Sequence, residues 1–363
     1  MAKVIVGMSG GVDSAVCAYL LKMAGHEVIG VTLKTWVASD QKENRCCRID
    51  DASAVASMLG VPYYAVNCMM DFDRCVIDPF IEDYMKGRTP NPCILCNPLV
   101  KWGKMEESMK VLGADYIATG HYATICKLPN NRYTVGQALH AQKDQTYMLY
   151  RLSQEQLAHT MMPLGKLTKE EVRDIAHKAG IPVASKPDSQ EICFIPDNDY
   201  SGYIEENAKV PVPGEGDFVS EDGTFLGKHK GIIHYTIGQR RGLGLPLGYH
   251  AYVKRIDPVK NEVIIAKDEA LYSAKILCDS LNFMGIPDPK IGERLRFDVK
   301  VRYHHKAQSA VVEKTKDDEV IIRFDEPVRA AAPGQSAVFY NEDLQVAGGG
   351  IIREVFYPED EKQ

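Results

Sequence analysis

Three cysteines lie in segments whose composition favours thiol chemistry. Cys93 and Cys96 stand in the segment 87–97, and Cys193 stands far along the chain in a short apolar stretch. Two prolines in the first segment predict a rigid, non-helical loop up to about Asn97, where a helix can start. A cysteine just before a helix N-terminus has a lowered pKa, because the helix dipole favours the thiolate. Cys96 is therefore a candidate nucleophile.

The other cysteines of the ten have simpler interpretations. Five lie in ordinary apolar or surface patterns and are predicted to be structural: Cys17, Cys68, Cys75, Cys126 and Cys278. Cys46 and Cys47 fall in a polar loop, where exposure is expected. A zinc site is a further alternative, since Cys93 and Cys96 have CxxC spacing, but Cys46, Cys47 or Cys193 would have to supply the other ligands.

A glycine-rich string near the start of the chain favours phosphate binding. It follows a predicted strand, opens a predicted helix and reads Gly7-Met8-Ser9-Gly10-Gly11-Val12-Asp13-Ser14. A tight turn there lets several backbone N–H groups point at one anion, and the positive end of the helix dipole adds to the attraction. The string lacks Gly-Lys-Ser/Thr, so it is not a Walker loop with its phosphate-binding lysine. A plain strand–turn–helix junction remains the alternative.

Basic residues cluster in the second half of the chain. Between positions 228 and 255 there are six lysines and arginines and no acidic residue: Lys228, Lys230, Arg240, Arg241, Lys254 and Arg255. A second, mixed stretch contains Lys290, Arg294, Arg296, Lys300, Arg302 and Lys306. Such clusters are typical of surfaces that bind a phosphate backbone. Two ordinary solvated faces are the alternative interpretation.

The elements that must position these residues change in kind near residue 205. Before that point, strands predicted at 4–8, 27–33, 62–66 and 116–119 alternate with helices predicted at 12–23, 52–59, 71–85, 99–112 and 172–179. This alternation is typical of an α/β unit with a parallel sheet. Beyond it, glycine, proline and β-branched residues predict short strands that form small β domains or a barrel, with a second boundary near 275.

Composition indicates an ordinary globular protein. The 363 residues are 45% hydrophobic and 25% charged, which excludes disorder, collagen and coiled coil as the main state. The sequence contains no apolar run of about 18 residues, so we expect no transmembrane helix. The first residues predict a buried strand rather than a secretory signal, so we expect a cytoplasmic protein with reduced thiols. The net charge of −6 gives no sign of a polyanionic partner for the chain as a whole.

The string Ser9–Ser14 resembles the SGGxDS motif of the PP-loop ATP-pyrophosphatase superfamily. The resemblance implies that ATP is cleaved between its α- and β-phosphates to adenylate a substrate oxygen. It also implies that the loop holds the pyrophosphate, that Asp13 helps to bind Mg²⁺, and that Leu33 and Gly120 contact the nucleotide. A PP-loop ligase or amidase acting on a small molecule, and an RNA-binding module with a vestigial loop, are alternatives at this point.

Further strings extend the resemblance over the whole chain. GMSGGVDS at 7–14 is followed by GRTPNPCILCN at 87–97, ATGHYA at 118–123, KDQTYML at 143–149, KPDSQEICFI at 186–195 and IHYTIGQRRGLG at 233–244. In this order they resemble the family of tRNA-specific 2-thiouridylases. The resemblance implies a PP-loop α/β domain at 1–205, a small central β-rich domain at 206–275 and a C-terminal β-barrel at 276–363. It implies ATP-dependent 2-thiolation of the wobble uridine of tRNA, with a sulfur-donating partner, either a cysteine desulfurase or a sulfur-relay protein.

The same resemblance assigns expected roles to individual residues. Cys193 would carry a persulfide and Cys96 would be the nucleophile that frees its sulfur, through a transient disulfide. Asn91, Pro92 and Cys93 would contact the target base. The residues expected to touch tRNA elsewhere are His121, Lys143, Asp144, Gln145, Arg302, Tyr303 and Gln335, with Arg240 and Arg241 as phosphate contacts.

Cys93 departs from the family pattern, because many members have aspartate there. That aspartate is thought to be a general acid or base, and a thiol can replace it only if its pKa suits the step. Alternatively, Cys93, Cys96 and Cys193 would be three ligands of a [4Fe–4S] cluster with one open iron, in an enzyme that thiolates the same substrate.

Overall fold

A parallel five-stranded sheet forms the first half of the structure, a computed structural model that describes residues 1–36, 48–186, 192–195 and 198–360. The strands of this half are β1 Lys3–Gly7, β2 Glu27–Lys34, β3 Tyr63–Asn67, β4 Tyr116–Ala118, β5 Thr124–Lys127, β6 Tyr133–Gly136 and β7 Thr160–Met161. The sheet has the order β3-β2-β1-β4-β7, and every neighbouring pair is parallel. β5 and β6 form a separate antiparallel pair. The predicted parallel α/β unit is confirmed.

Helices connect these strands. They are α1 Val12–Met23, α2 Ile49–Leu59, α3 Met69–Phe72, α4 Asp78–Met85, α5 Pro92–Cys96, α6 Gly103–Leu112, α7 Gln154–Ala158, α8 Lys169–Lys178 and α9 Tyr200–Asn207. Two π-helical stretches, Asp73–Ile77 and Asn97–Trp102, make α3–α4 and α5–α6 continuous. Short 3₁₀ turns lie at Ala141–Lys143, Thr146–Met148, Pro163–Lys166, Ile232–His234 and Asp268–Leu271. Within the described ranges, no helix is long and apolar enough to cross a membrane.

The segment before Cys96 is helical, so the prediction of a loop up to Asn97 is wrong. α5 begins at Pro92, because proline at the first helical position gives up no intrahelical hydrogen bond. The Asn91 side chain caps this end by accepting a hydrogen bond from the backbone N–H of Cys93 at 3.2 Å. Cys93 therefore lies in the first turn, and Cys96 lies deeper in the helix. Because Cys96 does not precede the helix N-terminus, the helix-dipole argument made for it does not apply.

The second half of the chain consists of two β units. Its strands are β8 Gly216–Ser220, β9 Phe225–His229, β10 Tyr252–Asp257, β11 Glu262–Ala266, β12 Tyr272–Phe283, β13 Arg294–Lys300, β14 Gln308–Lys316, β15 Glu319–Arg329, β16 Ser336–Tyr340 and β17 Val346–Phe356. Four of them form a sheet of order β10-β11-β8-β9, and β12 to β17 close into an antiparallel barrel of order β12-β15-β14-β13-β16-β17. The predicted central β-rich unit and C-terminal barrel are confirmed in kind, and the boundaries at 205 and 275 stay predictions.

Apolar packing joins the units. One buried cluster contains Phe72 and Phe80 from the first half together with Val253 and Ile265 from the central sheet. Another contains Ile5 of the parallel sheet and barrel residues such as Val338 and Val346. Because each cluster crosses a unit boundary, burial of apolar surface holds the first half against the β units.

Candidate functional site

The phosphate loop is a tight turn between β1 and α1. Gly10 has φ 78°, and a Cβ on it would lie 2.6 Å from the backbone oxygen of Arg48, so only glycine fits there. Ser9 donates its backbone N–H to the Ser14 hydroxyl at 3.1 Å, and that hydroxyl donates to the Gly11 carbonyl at 3.1 Å. Gly11 precedes α1 without a side-chain cap. The first turn of α1 thus receives no side-chain cap from Gly11, and phosphate binding at its amide groups stays a prediction.

The remaining predicted nucleotide contacts border this loop. Gly120 packs on its backbone so closely that a Cβ would lie 2.7 Å from the carbonyl carbon of Asp13. Leu33 lies near the end of β2 and packs against two apolar clusters. Next to it, the Thr32 hydroxyl donates to the Met8 carbonyl at 2.6 Å and fixes the start of the turn. Met8 and Val12 are buried beneath the loop.

Asp13 makes contacts that the sequence did not predict. Its Oδ1 and Oδ2 accept hydrogen bonds from the Lys169 ammonium at 2.7 and 2.8 Å, and its Oδ1 accepts one from the Tyr122 hydroxyl at 2.8 Å. Lys169 is separated from Asp13 by 156 positions. No sequence motif marks this lysine, and only the docking of α8 beside α1 shows the contact.

The segment Lys143–Gln145 lies directly behind Tyr122. The Gln145 side-chain oxygen accepts from the Tyr122 N–H at 2.9 Å, and the Gln145 N–H donates to the Tyr122 carbonyl at 3.0 Å. Tyr122 in turn contacts Asp13. The segment Lys143–Gln145, which was expected to touch tRNA, is therefore connected to the phosphate loop through a single residue, Tyr122.

Asp144 is 4% exposed, and its carboxylate is occupied within the protein. It accepts hydrogen bonds from the Thr146 hydroxyl at 2.7 Å and from the Ala138 N–H at 3.3 Å. Burial raises the pKa of this carboxyl group, and the hydrogen bond from Thr146 opposes the rise. Thr146 also contacts the Tyr340 hydroxyl of the barrel at 3.1 Å. These contacts fit a residue that positions the segment rather than one that reaches a ligand.

The structure packs Cys96 and Cys193 against one apolar cluster. Cys96 is 6% exposed and belongs to the cluster, and the half-buried Cys193 packs against it. Phe194 anchors the second cysteine, because its ring lies edge-on to Phe72 and Phe80 with centroids 5.6 and 5.3 Å apart. The fold thus brings the two predicted sulfur-handling residues into the same region. Of the string around Cys193, positions 187–191 lie outside the described residues.

Cysteines that were predicted to be structural are mostly buried. Cys17 and Cys278 are fully buried, and burial raises the pKa of both thiols well above the usual value. Cys68 is buried, and Cys75 and Cys126 are partly exposed. All eight described cysteines are thiols. The predictions made for Cys46 and Cys47 lie outside the described residues.

A metal site is not formed by the described side chains. In the ranges that the structure covers, no three His, Cys, Asp or Glu side chains come together in a way that could hold a metal ion. Cys93, Cys96 and Cys193 are all described, so they do not form the set of ligands that an iron–sulfur cluster requires. The same holds for a zinc site built on these three cysteines.

The barrel holds the segment that leads to Cys93. The Gln335 side-chain amide donates to the Thr89 carbonyl at 2.7 Å, and the Thr89 N–H donates to the Pro333 carbonyl at 2.8 Å. Tyr303 lies on the other side; burial raises the pKa of its hydroxyl, and negative charge on Asp144 and Cys93 adds to the rise. Gln335, which was predicted to contact tRNA, therefore holds the segment that leads to Asn91, Pro92 and Cys93.

The basic surface is smaller than the sequence predicted. Lys254 is 2% exposed and pairs with Glu221 and Glu359. Lys228 pairs with Asp217, and Arg255 with Asp360. In the second stretch, Arg294 pairs with Glu313, and Arg296 with Asp325. Charge counting along the sequence missed these pairs, because the acidic partners come from distant strands and from the chain end.

Arg240 and Arg241 are exposed, and no carboxylate of the described residues pairs with them. They line a polar cavity of about 630 Å³ together with Arg302, His234 and Asp199. Arg302 is partly buried and donates to the Ile237 carbonyl at 2.8 Å. The cavity thus brings together three residues that were predicted to contact tRNA, Arg240, Arg241 and Arg302. Its lining carries a net positive charge.

Comparison with known proteins assigns the chain to a family. Three family models match consecutive parts: "tRNA methyl transferase HUP domain" at 2–197, "tRNA methyl transferase PRC-barrel domain" at 204–267 and "Aminomethyltransferase beta-barrel domain" at 273–352. The tRNA-specific 2-thiouridylase MnmA of Lachnoclostridium phytofermentans is 48% identical over 361 residues, covering 97% of this chain and 100% of that protein. MnmA 1 of Caldanaerobacter subterraneus is 50% identical over 359 residues, covering 96% and 97%.

A solved structure, U34-tRNA thiolase NcsA from Methanococcus maripaludis with its [4Fe–4S] cluster, is more distant. It has a TM-score of 0.35 and 18% identity over 56% of this chain and 63% of that one, which supports no argument about this chain.

The fold defines a class of tRNA-modifying enzymes built on a nucleotide-binding HUP domain followed by two β units. Within that class, the chain belongs to the family of tRNA-specific 2-thiouridylases, as its motifs predicted. The family models carry the word methyl transferase, whereas the full-length relatives are named for thiolation.

His121 provides a pH-dependent test of this site. Its Nδ1 lies 2.9 Å from the Thr119 hydroxyl, and its ring packs on Trp102 at 5.5 Å. Burial, and next the charge of Lys101, lower the pKa of His121 to about 3 from 6.5. Below about pH 6.5 the imidazole of His121 takes up a proton in the unfolded chain but not in the folded chain. The contribution of neutral His121 to the free energy of unfolding is therefore complete above pH 6.5 and declines toward pH 3.

We expect the free energy of unfolding of the wild type to exceed that of His121→Gln by an amount that shrinks between pH 6.5 and pH 4. Urea unfolding at several pH values measures this difference. His140→Gln, at an exposed position, is the matched control. A difference between wild type and His121→Gln that does not vary with pH would contradict the assignment of a neutral His121.

Proposed function

We propose that this protein converts the wobble uridine of tRNA to 2-thiouridine, using ATP to activate the base and a cysteine persulfide to deliver sulfur. The observation that carries the proposal is that Cys96 and Cys193 pack on one cluster in a chain that opens with a phosphate loop. Full-length identity of about half to named 2-thiouridylases supports it. Because tRNA is the substrate, we place the reaction in the cytoplasm.

Adenylation comes first in this proposal. The O2 oxygen of uridine forms a bond to the α-phosphorus of ATP, the bond to the bridging oxygen breaks, and pyrophosphate leaves with the electron pair. The proton on N3 is released. The amide groups of Gly10 and Val12 and the start of α1 hold the leaving pyrophosphate, because its negative charge faces their N–H groups. The C2 position then carries AMP, a good leaving group.

Sulfur transfer follows. The terminal sulfur of a persulfide on Cys193 attacks C2, and AMP leaves with the former O2 oxygen. The Cys96 thiolate then attacks the sulfur of Cys193, and the electron pair of the broken S–S bond passes to the sulfur on C2. The products are 2-thiouridine and a Cys96–Cys193 disulfide. A disulfide requires the two Cα atoms to lie within about 7 Å of each other.

Co-reactants complete each turnover. A dithiol reductant must reopen the disulfide, and a cysteine desulfurase or a sulfur-relay protein must supply the next persulfide sulfur. Mg²⁺ usually takes one or two carboxylates plus substrate phosphates, and Asp13 would have to exchange its contacts with Lys169 and Tyr122 for the ion to supply one of them. When bound, Mg²⁺ neutralises phosphate charge. The steps written here use only the thiols of Cys96 and Cys193 and the nucleotide.

The tRNA would lie across the opening between the first half and the β units. Arg240 and Arg241 would contact phosphates, and Arg302 lies in the same cavity. Asn91, Pro92 and Cys93 would meet the splayed-out base, with Cys93 as the acid or base in place of aspartate. His121, Lys143, Tyr303 and Gln335 complete the proposed contacts. We assign Asp144 and Gln145 to positioning, because both already bond within the protein.

Removal of either transfer thiol should abolish thiolation. Cys96→Ser and Cys193→Ser keep the size of the side chain but cannot carry or release sulfane sulfur. We expect mass spectrometry of tRNA nucleosides to show at least a 100-fold loss of 2-thiouridine formation. Cys126→Ser, which alters a thiol on β5, should retain activity. Wild-type rates from a folded Cys96→Ser or Cys193→Ser protein would contradict the mechanism.

Neutralising Arg240 and Arg241 should weaken tRNA binding and flatten its salt dependence. Each phosphate contact contributes about 0.7–0.9 to the slope of log affinity against log salt. We therefore expect the double variant R240Q/R241Q to lower the slope by about one to two. Arg296→Gln is the control, because Arg296 is already paired with Asp325. An unchanged slope in the double variant would exclude phosphate contacts at these two residues.

A further inference from the structure

The backbone of Arg48 lies directly against the turn between β1 and α1. Its N–H donates to the Ser9 carbonyl at 3.3 Å. A Cβ on Gly10 would lie 2.6 Å from the Arg48 carbonyl oxygen and 2.7 Å from the Arg48 Cβ. The Arg48 side chain therefore starts at the turn whose amide groups are proposed to hold pyrophosphate.

The helix that follows Arg48 does not explain an arginine at this position. Arg48 is the N-cap residue of α2, and its side chain forms no cap hydrogen bond. A cap must accept hydrogen bonds from backbone N–H groups, whereas a guanidinium group can only donate. The helix dipole also favours anions at this end, as in the first turn of α2, which contains Asp50 and Asp51. The reason for a cation here must therefore lie outside α2.

The charge of Arg48 is not compensated by the neighbouring acid. In the ranges that the structure describes, no carboxylate forms an ion pair with its guanidinium, and its Nε is buried without a hydrogen-bond partner. Asp51 also lies against Gly10, but its carboxylate accepts from the Lys186 ammonium at 2.5 Å. Arg48 as a whole is partly exposed. An unpaired charge that is partly withdrawn from water costs free energy, and a bound anion would remove that cost.

Two helix N-termini adjoin the same turn. α2 follows β2 and begins at the carboxyl edge of the parallel sheet, as α1 does after β1. Neither helix has a side-chain cap, and the two helices contact each other. The amide groups of both first turns and the Arg48 guanidinium thus combine donors and positive charge at one place, which favours phosphate groups.

We propose that Arg48 binds the pyrophosphate portion of ATP from the α2 side of the phosphate loop. A guanidinium group can donate two parallel hydrogen bonds to one phosphate group, and it supplies the positive charge that the loop lacks without a Walker lysine. This charge stabilises pyrophosphate as the bond to the α-phosphorus breaks. The inference rests on the proposed use of ATP and adds to it a residue that binds the leaving group.

The test measures the binding of two probes, inorganic pyrophosphate and AMP, to the full chain by calorimetry. We expect Arg48→Gln to weaken pyrophosphate binding about 10-fold or more, the usual effect of losing hydrogen bonds from a charged group. AMP binding should change less than about 2-fold, because AMP lacks the β- and γ-phosphates. Arg48→Lys should lose less pyrophosphate affinity than Arg48→Gln, since lysine keeps the charge but not the two-pronged geometry.

Arg74→Gln is the matched control. It also removes one guanidinium group, but the Arg74 side chain is 76% exposed and paired with Asp71. This variant should bind both probes like the wild type. An unchanged pyrophosphate affinity in Arg48→Gln, an equal loss for both probes, the same loss in Arg74→Gln, or no pyrophosphate binding by the wild type would each overturn the inference.

The outcomes also separate this inference from the proposed function. If the wild type forms 2-thiouridine and Arg48→Gln binds pyrophosphate normally, only the role of Arg48 is contradicted. If pyrophosphate binding depends on Arg48 but the wild type forms no 2-thiouridine, only the thiolation proposal is contradicted.

Discussion

The turn between β1 and α1 is the constraint on which the rest of the site depends. Residue 10 must carry no Cβ, because the backbone of Arg48 occupies that space. The turn directs the start of α1 toward the carboxyl edge of the parallel sheet, the edge where open α/β sheets bind ligands. It also sets Asp13 at the point where α8 and Tyr122 reach it. The backbone conformation of this turn thus fixes the position of the proposed nucleotide site. The side chains around the turn set the charge of that site.

The two cysteines of the proposed sulfur transfer share one apolar environment. Cys96 lies within an apolar cluster, and Cys193 reaches the same cluster from a distant part of the chain through Phe194. In the proposed mechanism, a persulfide on Cys193 would form next to this apolar cluster, where access of bulk water is reduced. The barrel contributes by holding Thr89 and hence the start of α5. Under the proposed function, this connection makes the β-barrel a support for the segment that carries Cys93 and Cys96.

The parallel sheet and the tight turn after β1 could be predicted from the sequence, because each depends on local periodicity or on a contiguous motif. The strand pattern of the second half left small β domains or a barrel open, and the family resemblance pointed to the barrel. The start of α5 was missed because two prolines were read as helix breakers, whereas Pro92 occupies the one helical position that proline favours. Lys169 and the partners of Lys254 were missed because their contacts join residues far apart in the chain. Spacing along a sequence cannot reveal an ion pair that only tertiary packing creates.

The most direct test of the account follows an oxygen atom. If the uridine O2 is adenylated and then displaced by sulfur, that oxygen must leave in AMP. A tRNA carrying ¹⁸O at the O2 position of the wobble uridine should yield AMP with one ¹⁸O for each 2-thiouridine formed, as measured by mass spectrometry. Unlabelled AMP accompanying 2-thiouridine would contradict the account, because ATP cleavage would then not activate the base.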